Sequence, residues 1–304
     1  MQNELEQVLR GLALHRTPGW NFPGNFLQMS FDSVDDKSAT LTLDPGPHCV
    51  DANGHLALGP LSVLLDVGMG AVMRGQVGPD ARMATVSMSL QLTGAPSSGR
   101  ITSVGRFDGF ARGACGQLGL MRVELTAGDG TSVATGSGTF MALGNREGTA
   151  ALPMRKRGVD ADVTPLAPSD LNEQEREVYE RAARATQGGP ASFIDRFWGL
   201  VPQRVDGGAT IEFANGLHVG NRVGHTQGGI TFAIAGAAAA GALGDDWRLV
   251  GVSAWYVSPG TGPVLHAKST IVHSGRLTAV VRTTIVDFEG RLVLEAMSNH
   301  ARKA

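Results

Sequence analysis

Two stretches of the chain, residues 60–74 and 229–243, are hydrophobic nearly all round. A helix of that kind is buried rather than laid on a surface. Around them the pattern changes to alternation. Residues 39–43, 209–213 and 84–92 place apolar side chains at every second position, the mark of half-buried strands. Asp129 with Gly130 and Glu289 with Gly290 stand between apolar strand runs and predict hairpin turns. Short helical patterns at residues 3–14 and about 170–186 open the two halves, the second with Asp170 and Glu173 spaced for a capping box. Pro60 suits the first turn of a helix, where a missing N–H costs nothing. Gly228 and Gly229 let the second apolar helix begin with its backbone close to another group. One apolar helix per half, followed by a run of antiparallel strands, predicts an α+β fold in which a sheet curls around a central helix.

The order repeats because the sequence does. At an offset of 170, Asp36, Ala39, Thr40, Gly46, His48, Gly54, His55 and Gly59 match Asp206, Ala209, Thr210, Gly216, His218, Gly224, His225 and Gly229. That is 8 identities in the 24 positions from 36 to 59, without a gap. Shared histidines are not an artefact of a Gly- and Ala-rich composition, so the pattern reads as a duplication. It divides the chain into an N-terminal domain, residues 1–143, and a C-terminal domain, residues 169–304. Between them residues 144–168 have linker composition. Their run of Arg155, Lys156 and Arg157 reads as a solvated surface feature, with a hold on phosphates as the alternative.

Composition narrows the function classes. The net charge of −2 argues against an electrostatic nucleic-acid binder. Cys49 and Cys115, the only two cysteines, fit neither a metal spacing nor a disulfide framework. Together with an N-terminus that lacks a basic and an apolar signal region, this predicts a cytoplasmic protein. The longest apolar stretch, from Gly228 to Leu243, is short for a membrane span.

One residue breaks the apolar pattern. Asp66 is the only ionisable residue between Gly59 and Arg74, and its neighbours are Leu64, Leu65 and Val67. Burying an unpaired carboxylate costs on the order of several kcal/mol. Either Asp66 reaches an edge and pairs with Arg74 or a backbone N–H, or it lines a cleft and acts on water. The matching stretch of the second helix, Ala233 to Gly236, carries no charge.

These residues resemble the hot-dog acyl-CoA thioesterases of the phenylacetate-pathway type. The pattern there is an Asn, a Gly three positions later, a His-Gly-Gly, and a helical Asp fifteen after the Asn. The second half has Asn221, Gly224, then Gln227, Gly228 and Gly229, but Gly236 at the Asp position. The first half has Asp51, Gly54, then Ala57, Leu58 and Gly59, and Asp66 at the Asp position. The kept parts are complementary. The resemblance implies two tandem hot-dog units paired within one chain as an intramolecular pseudo-dimer. One site uses Asp66 with Asn221 and Gly228, and the other is vestigial with Gly236, Asp51 and Leu58. It also implies a Ser or Thr on the strand after the helix. Thr85, with Val86 and Ser87, stands there, and aligning Gly251, Val252 and Ser253 with it puts Gly251 opposite Thr85. Gln227 replaces the usual His, which leaves the Gly228 N–H in place and alters the hydrogen bonds around it.

The chemistry so implied is hydrolysis of an acyl-CoA. Gly228 N–H, at a helix N-terminus, would receive the carbonyl oxygen, helped by Asn221. Asp66 would act as general base or, as the less favoured role, as nucleophile, and Thr85 would hold the water. Gln227, Gly229 and His225 would contact substrate. His218 and His225 recur as His48 and His55 in the inactive half-site, which favours structural roles for them. No metal ligand set, cofactor motif or Gly-x-Ser-x-Gly elbow is visible. Alternatives are a hot-dog hydratase or dehydratase, whose Asp-x4-His arrangement is not evident, and a non-catalytic acyl-CoA-binding protein. A chain that already holds a pair of units is expected to form a homodimer, as relatives often stack two pairs.

Overall fold

The computed structural model describes residues 2–17, 20–78, 81–143 and 163–304. Most of the expected linker, with Arg155, Lys156 and Arg157, lies outside them. The first half runs α1 (Gln2–His15), α2 (Phe22–Leu27), β1 (Ser30–Val34), β2 (Ser38–Leu43), α3 (Leu58–Val77), β3 (Arg82–Leu92), β4 (Ile101–Phe110), β5 (Leu118–Thr126) and β6 (Ser132–Leu143). The second repeats it: α4 (Glu173–Ala185), α5 (Phe193–Trp198), β7 (Gln203–Val205), β8 (Gly208–Ala214), α6 (Gly228–Leu243), β9 (Trp247–Tyr256), β10 (Val264–Ser274), β11 (Thr278–Asp287) and β12 (Leu292–Arg302).

All strands join one antiparallel sheet in the order β1-β2-β4-β5-β6-β3-β9-β12-β11-β10-β8-β7. Read from either end inward, corresponding strands occur in the same sequence. The halves meet edge to edge where β3 pairs with β9, with Ser89 opposite Ser253 and their hydroxyls bonded at 3.0 Å. Closing β3 on β9 leaves neither strand as a free edge. Within each half, α3 or α6 packs on the inner face of its own strands and against the other helix. The wholly buried Val63, Leu64, Leu65, Met69, Ile230, Phe232 and Ile234 supply that core. An apolar residue at nearly every helical position fits a helix enclosed by sheet on one side and a second helix on the other.

Three helices extend the expected bounds outward by one to three residues, whereas α4 starts three residues later than expected and ends one earlier. The capping box differs. It is formed by Asn172 and Glu175, with Asn172 Oδ1 accepting from Glu175 N at 3.0 Å and Glu175 Oε2 accepting from Asn172 N at 2.9 Å. Asp170 and Glu173 have the same spacing, but Asp170 ends a single 3₁₀ turn. The later frame puts Val178, Ala182 and Ala185 on the buried face and lets Arg16, just after α1, clamp Glu175 at 2.7 and 2.8 Å. The sequence reading did not include α2 and α5. Asn21 and Ser192 cap them by accepting from Gly24 N and Asp195 N. They bring Phe22, Phe26, Phe197 and Trp198 together, with the Phe26 and Phe197 rings 5.4 Å apart.

The helices cross with almost no separation at Gly229. A Cβ there would lie 2.4 Å from the Ser62 carbonyl oxygen and 2.7 Å from Val63 Cα, both backbone of α3. Gly229→Ala therefore forces the helices apart. We expect it to lower unfolding free energy by about 1–3 kcal/mol, the usual range for overpacking, measured by urea denaturation. Stability equal to wild type would show that the crossing can widen freely.

Candidate active site

The crossing brings the end of one helix to the middle of the other. Asp66 lies two turns into α3, and Gly228 is the first residue of α6. A Cβ on Gly228 would stand 3.1 Å from Asp66 Oδ2, 3.2 Å from Asp66 Oδ1 and 3.1 Å from Thr85 Oγ1. A side chain there would press on the carboxylate and the Thr85 hydroxyl, which would have to give by a few tenths of an ångström. Among the described residues, the Gly228 N–H meets no acceptor.

Asp66 is buried, yet its oxygens are occupied by donors. Thr85 Oγ1 donates to Oδ1 at 3.0 Å, and Gln227 Nε2 donates to Oδ2 at 2.6 Å. Burial pushes its pKa up to about 6, while Thr85, the Gly229 N–H and Gln227 each pull it back. The alternative of an edge position is thus set aside: Asp66 sits inside, held by neutral donors. Gln227 also caps α6, its Oε1 accepting from Ile230 N at 2.9 Å. Both ends of its carboxamide are committed to the protein, although its side chain borders the cavity.

That cavity has a volume of about 450 Å³. Asp66, Thr85, Gln227, Gly228, Asn221 and His225 all line it, whereas Gly229 lies behind it in the helix crossing. Val67, Gly70, Ala71 and Arg74 of α3, Met83 of β3 and Phe140 of β6 line the cavity as well. Asn221 comes from the loop before α6. Its Oδ1 accepts from Val223 N and His225 N, both at 3.0 Å. Asp51 does the same work in the first half, accepting from Asn53 N at 2.8 Å and His55 N at 3.0 Å. The loop therefore needs the oxygen. What Asn221 adds is an amide N–H₂ that an Asp cannot offer.

His225 is half-buried, and burial, with the charge of Arg82, keeps its pKa low. His48 and His218 are packed against Phe26 and Phe197. Burial holds them at about 4 and about 3, so they are neutral aromatic fillers. Tyr256, at the end of β9, was not picked out by sequence reasoning. It lines the cavity and donates to the Gly228 carbonyl at 2.7 Å.

The matching place in the other half is filled. A Cβ on Gly236 would lie 2.9 Å from Leu58 Cδ2, 3.6 Å from Leu249 Cδ2 and 3.7 Å from Val252 Cγ2. The strand register corrects one alignment. β3 has its bulge at Val86, between Thr85 and Ser87, and β9 has its bulge at Val250, between Leu249 and Gly251. The counterpart of Thr85 is therefore Leu249, not Gly251. Asp66, Thr85 and Gly228 on one side correspond to Gly236, Leu249 and Leu58 on the other.

No family model and no curated protein sequence matches the chain. Solved structures do. A candidate oleoyl thioesterase from Lactobacillus plantarum superposes with a TM-score of 0.56 at 11% identity, over 88% of this chain and 97% of that one. A candidate thioesterase from Novosphingobium aromaticivorans gives 0.53 at 18% identity, over 90% and 99%. A hot-dog protein of unknown function from Alicyclobacillus acidocaldarius gives 0.54 at 9% identity, over 91% and 96%. The chain has the hot-dog fold, and the structures it resembles over nearly its full length include thioesterases. No helix among the described residues is long and apolar enough to cross a membrane.

The Asp66 environment sets a pH dependence of stability. Its folded pKa, about 6, lies above the roughly 4 of an unfolded chain. The folded state binds the extra proton, so the contribution of Asp66 is most favourable below about pH 4 and is lost as pH rises through about 6. The cost at neutral pH is on the order of 1–3 kcal/mol. Asp66→Asn should lose that dependence and be at least as stable as wild type at pH 8. Parallel melting curves from pH 4 to pH 8 test this. A constant difference between the two proteins across that range would contradict it.

Proposed function

We propose that the chain hydrolyses an acyl-CoA thioester at one composite site. The supporting observation is the Asp66 carboxylate beside the unoccupied Gly228 N–H, at the wall of one cavity. In this reading residues 1–143 and 169–304 are two hot-dog units paired within the chain. The thioester carbonyl oxygen is received by Gly228 N–H at the positive end of α6, with the Asn221 amide as a second donor. Asp66, ionised at neutral pH, takes a proton from a water held with Thr85. The water oxygen attacks the carbonyl carbon. As the tetrahedral intermediate collapses, the C–S bond breaks and the proton passes to the departing thiolate, leaving the free acid and CoA. General base is favoured over nucleophile because donors already hold both carboxylate oxygens. The vestigial site lacks the carboxylate, and Leu58 and Leu249 fill its place.

Asp66→Asn should lower kcat by about 10²–10⁴-fold, the usual loss for a positioned base. Asn221→Asp separates loop from chemistry: it keeps the oxygen the loop needs and removes the N–H₂. A loss of about 10- to 1000-fold is expected, against almost none for Asp51→Ala. Release of free CoA from a panel of acyl-CoAs reads all three variants. The acid limb of kcat/KM should fall as Asp66 protonates, near pH 6. Equal damage from Asp51→Ala and Asp66→Asn in folded protein would end the one-site model.

Trp255 on β9, Met297 on β12 and Leu120 on β5 are exposed on the sheet. Pairing two chains through the sheet would cover such side chains, and a homodimer is the proposed assembly. Light scattering at micromolar concentration should give twice the chain mass. A monomer mass would refute it.

A further inference from the structure

The Gly228–Gly229 peptide is engaged at both ends. Its carbonyl accepts from Tyr256 Oη at 2.7 Å, beyond its place in the helix ladder. Its N–H, on Gly229, lies close enough to Asp66 to pull the carboxyl pKa down, and the adjoining Gly228 is so near that a Cβ there would stand 3.1 Å from Asp66 Oδ2. Hydrogen bonds in series polarise one another and hold the intervening group still. We propose that Tyr256 is a positioning residue for Asp66, acting through the Gly228–Gly229 peptide: by donating to the carbonyl it fixes the start of α6 and strengthens the N–H that faces the carboxylate. This rests on the reading of Asp66 as the base and adds a residue to that machinery.

Three further observations agree. The phenol stays protonated, because burial and then the nearby Asp66 charge drive its pKa well above the ordinary range. Tyr256 is therefore a donor at every pH at which Asp66 titrates. Secondly, the bulge register that equates Val86 with Val250 equates Leu92 with Tyr256. The filled half-site has no such donor, just as it has no carboxylate. Thirdly, the neutral donors on Asp66 itself come from Thr85 of β3, Gln227 and Gly229, and none can replace a bond to the Gly228 carbonyl. The charged and titratable groups around the cavity are Arg74 on α3, Arg82 on β3, and Arg222 and His225 from the loop before α6.

The test reads the carboxylate directly. Asp66 is followed by ¹³C carboxyl NMR across pH, its resonance assigned by its loss in Asp66→Asn. Tyr256→Phe removes only the hydroxyl. It should raise the Asp66 pKa by about half to one pH unit. The acid limb of thioester hydrolysis should move the same way with KM little changed. A merely structural tyrosine would lower the melting temperature and leave the titration where it is. The opposite perturbation is also available, because the chain has only two tyrosines, Tyr179 and Tyr256. In Tyr179→Phe protein grown on 3-fluorotyrosine, the more acidic phenol at 256 is a stronger donor of unchanged shape. The Asp66 pKa should then fall. Folded Tyr256→Phe with an unshifted Asp66, or a fluorinated protein whose Asp66 stays put or rises, overturns the proposal. Should Tyr256→Phe fail to fold, the fluorinated protein decides alone. A protein that shows both shifts but hydrolyses no thioester would sink the functional reading and leave this one standing.

Discussion

Two bare backbones in contact hold the molecule's centre. Gly229 rests on the Ser62 carbonyl, and a Cβ on it, only 2.4 Å from that oxygen, would separate α3 from α6. The β3–β9 ladder sets how the halves face each other, but a ladder alone fixes only the sheet. The helices must also approach closely enough for residue 228 to touch residue 66. Small residues achieve this, since interhelical distance depends on the side chains at the contact. The same proximity makes Gly228 a tight position: the space beyond it belongs to Asp66 and Thr85.

A carboxylate placed there is an electrostatic liability for the fold and an asset for chemistry. Buried in an apolar helix, it resists ionisation; three donors offset that resistance without supplying a counter-charge. A positive partner would have made it a weak base and blocked the approach of water. Neutral donors leave a group that is charged at neutral pH and still basic. The other half resolves the same spatial problem with hydrocarbon. Leu58 and Leu249 occupy what would be donor positions, and Gly236 leaves room for them. Identical topology thus supports a polar pocket on one side and a packed core on the other.

Much of this was legible in the sequence. The long helices, the alternating strands and the hairpins followed from periodicity, the repeated order of elements from the offset of 170 over residues 36–59, and Asp66 stood out as a lone charge in an apolar run. The capping box was misplaced because two frames, Asp170 with Glu173 and Asn172 with Glu175, satisfy one spacing; only the burial of Val178 and the reach of Arg16 decide between them. The helices α2 and α5 have six residues each, fewer than two turns, too short for a period to show. Thr85 was paired with Gly251 because the offset does not stay constant. It is 170 at the helix starts and 164 at the strand bulges, since α6 has 16 residues against 20 in α3 and the turn after it also differs. A bulge is a matter of hydrogen-bond register, and it leaves no mark on residue type. Tyr256 was missed for a related reason: its bond is to a carbonyl, which no side-chain motif records.

Asn221 and Asp51 differ by one group of atoms, O⁻ against NH₂, while performing the same loop-closing task. In an assembly of two identical chains, one codon would have to serve both places, and any exchange of this kind would strike both pockets at once. Joining the units in a single gene removes that constraint. Each pocket then draws on its own codons, and an exchange in one leaves the other as it was. On the proposed one-site reading, Leu58 and Leu249 beside Gly236 are where that freedom has been used.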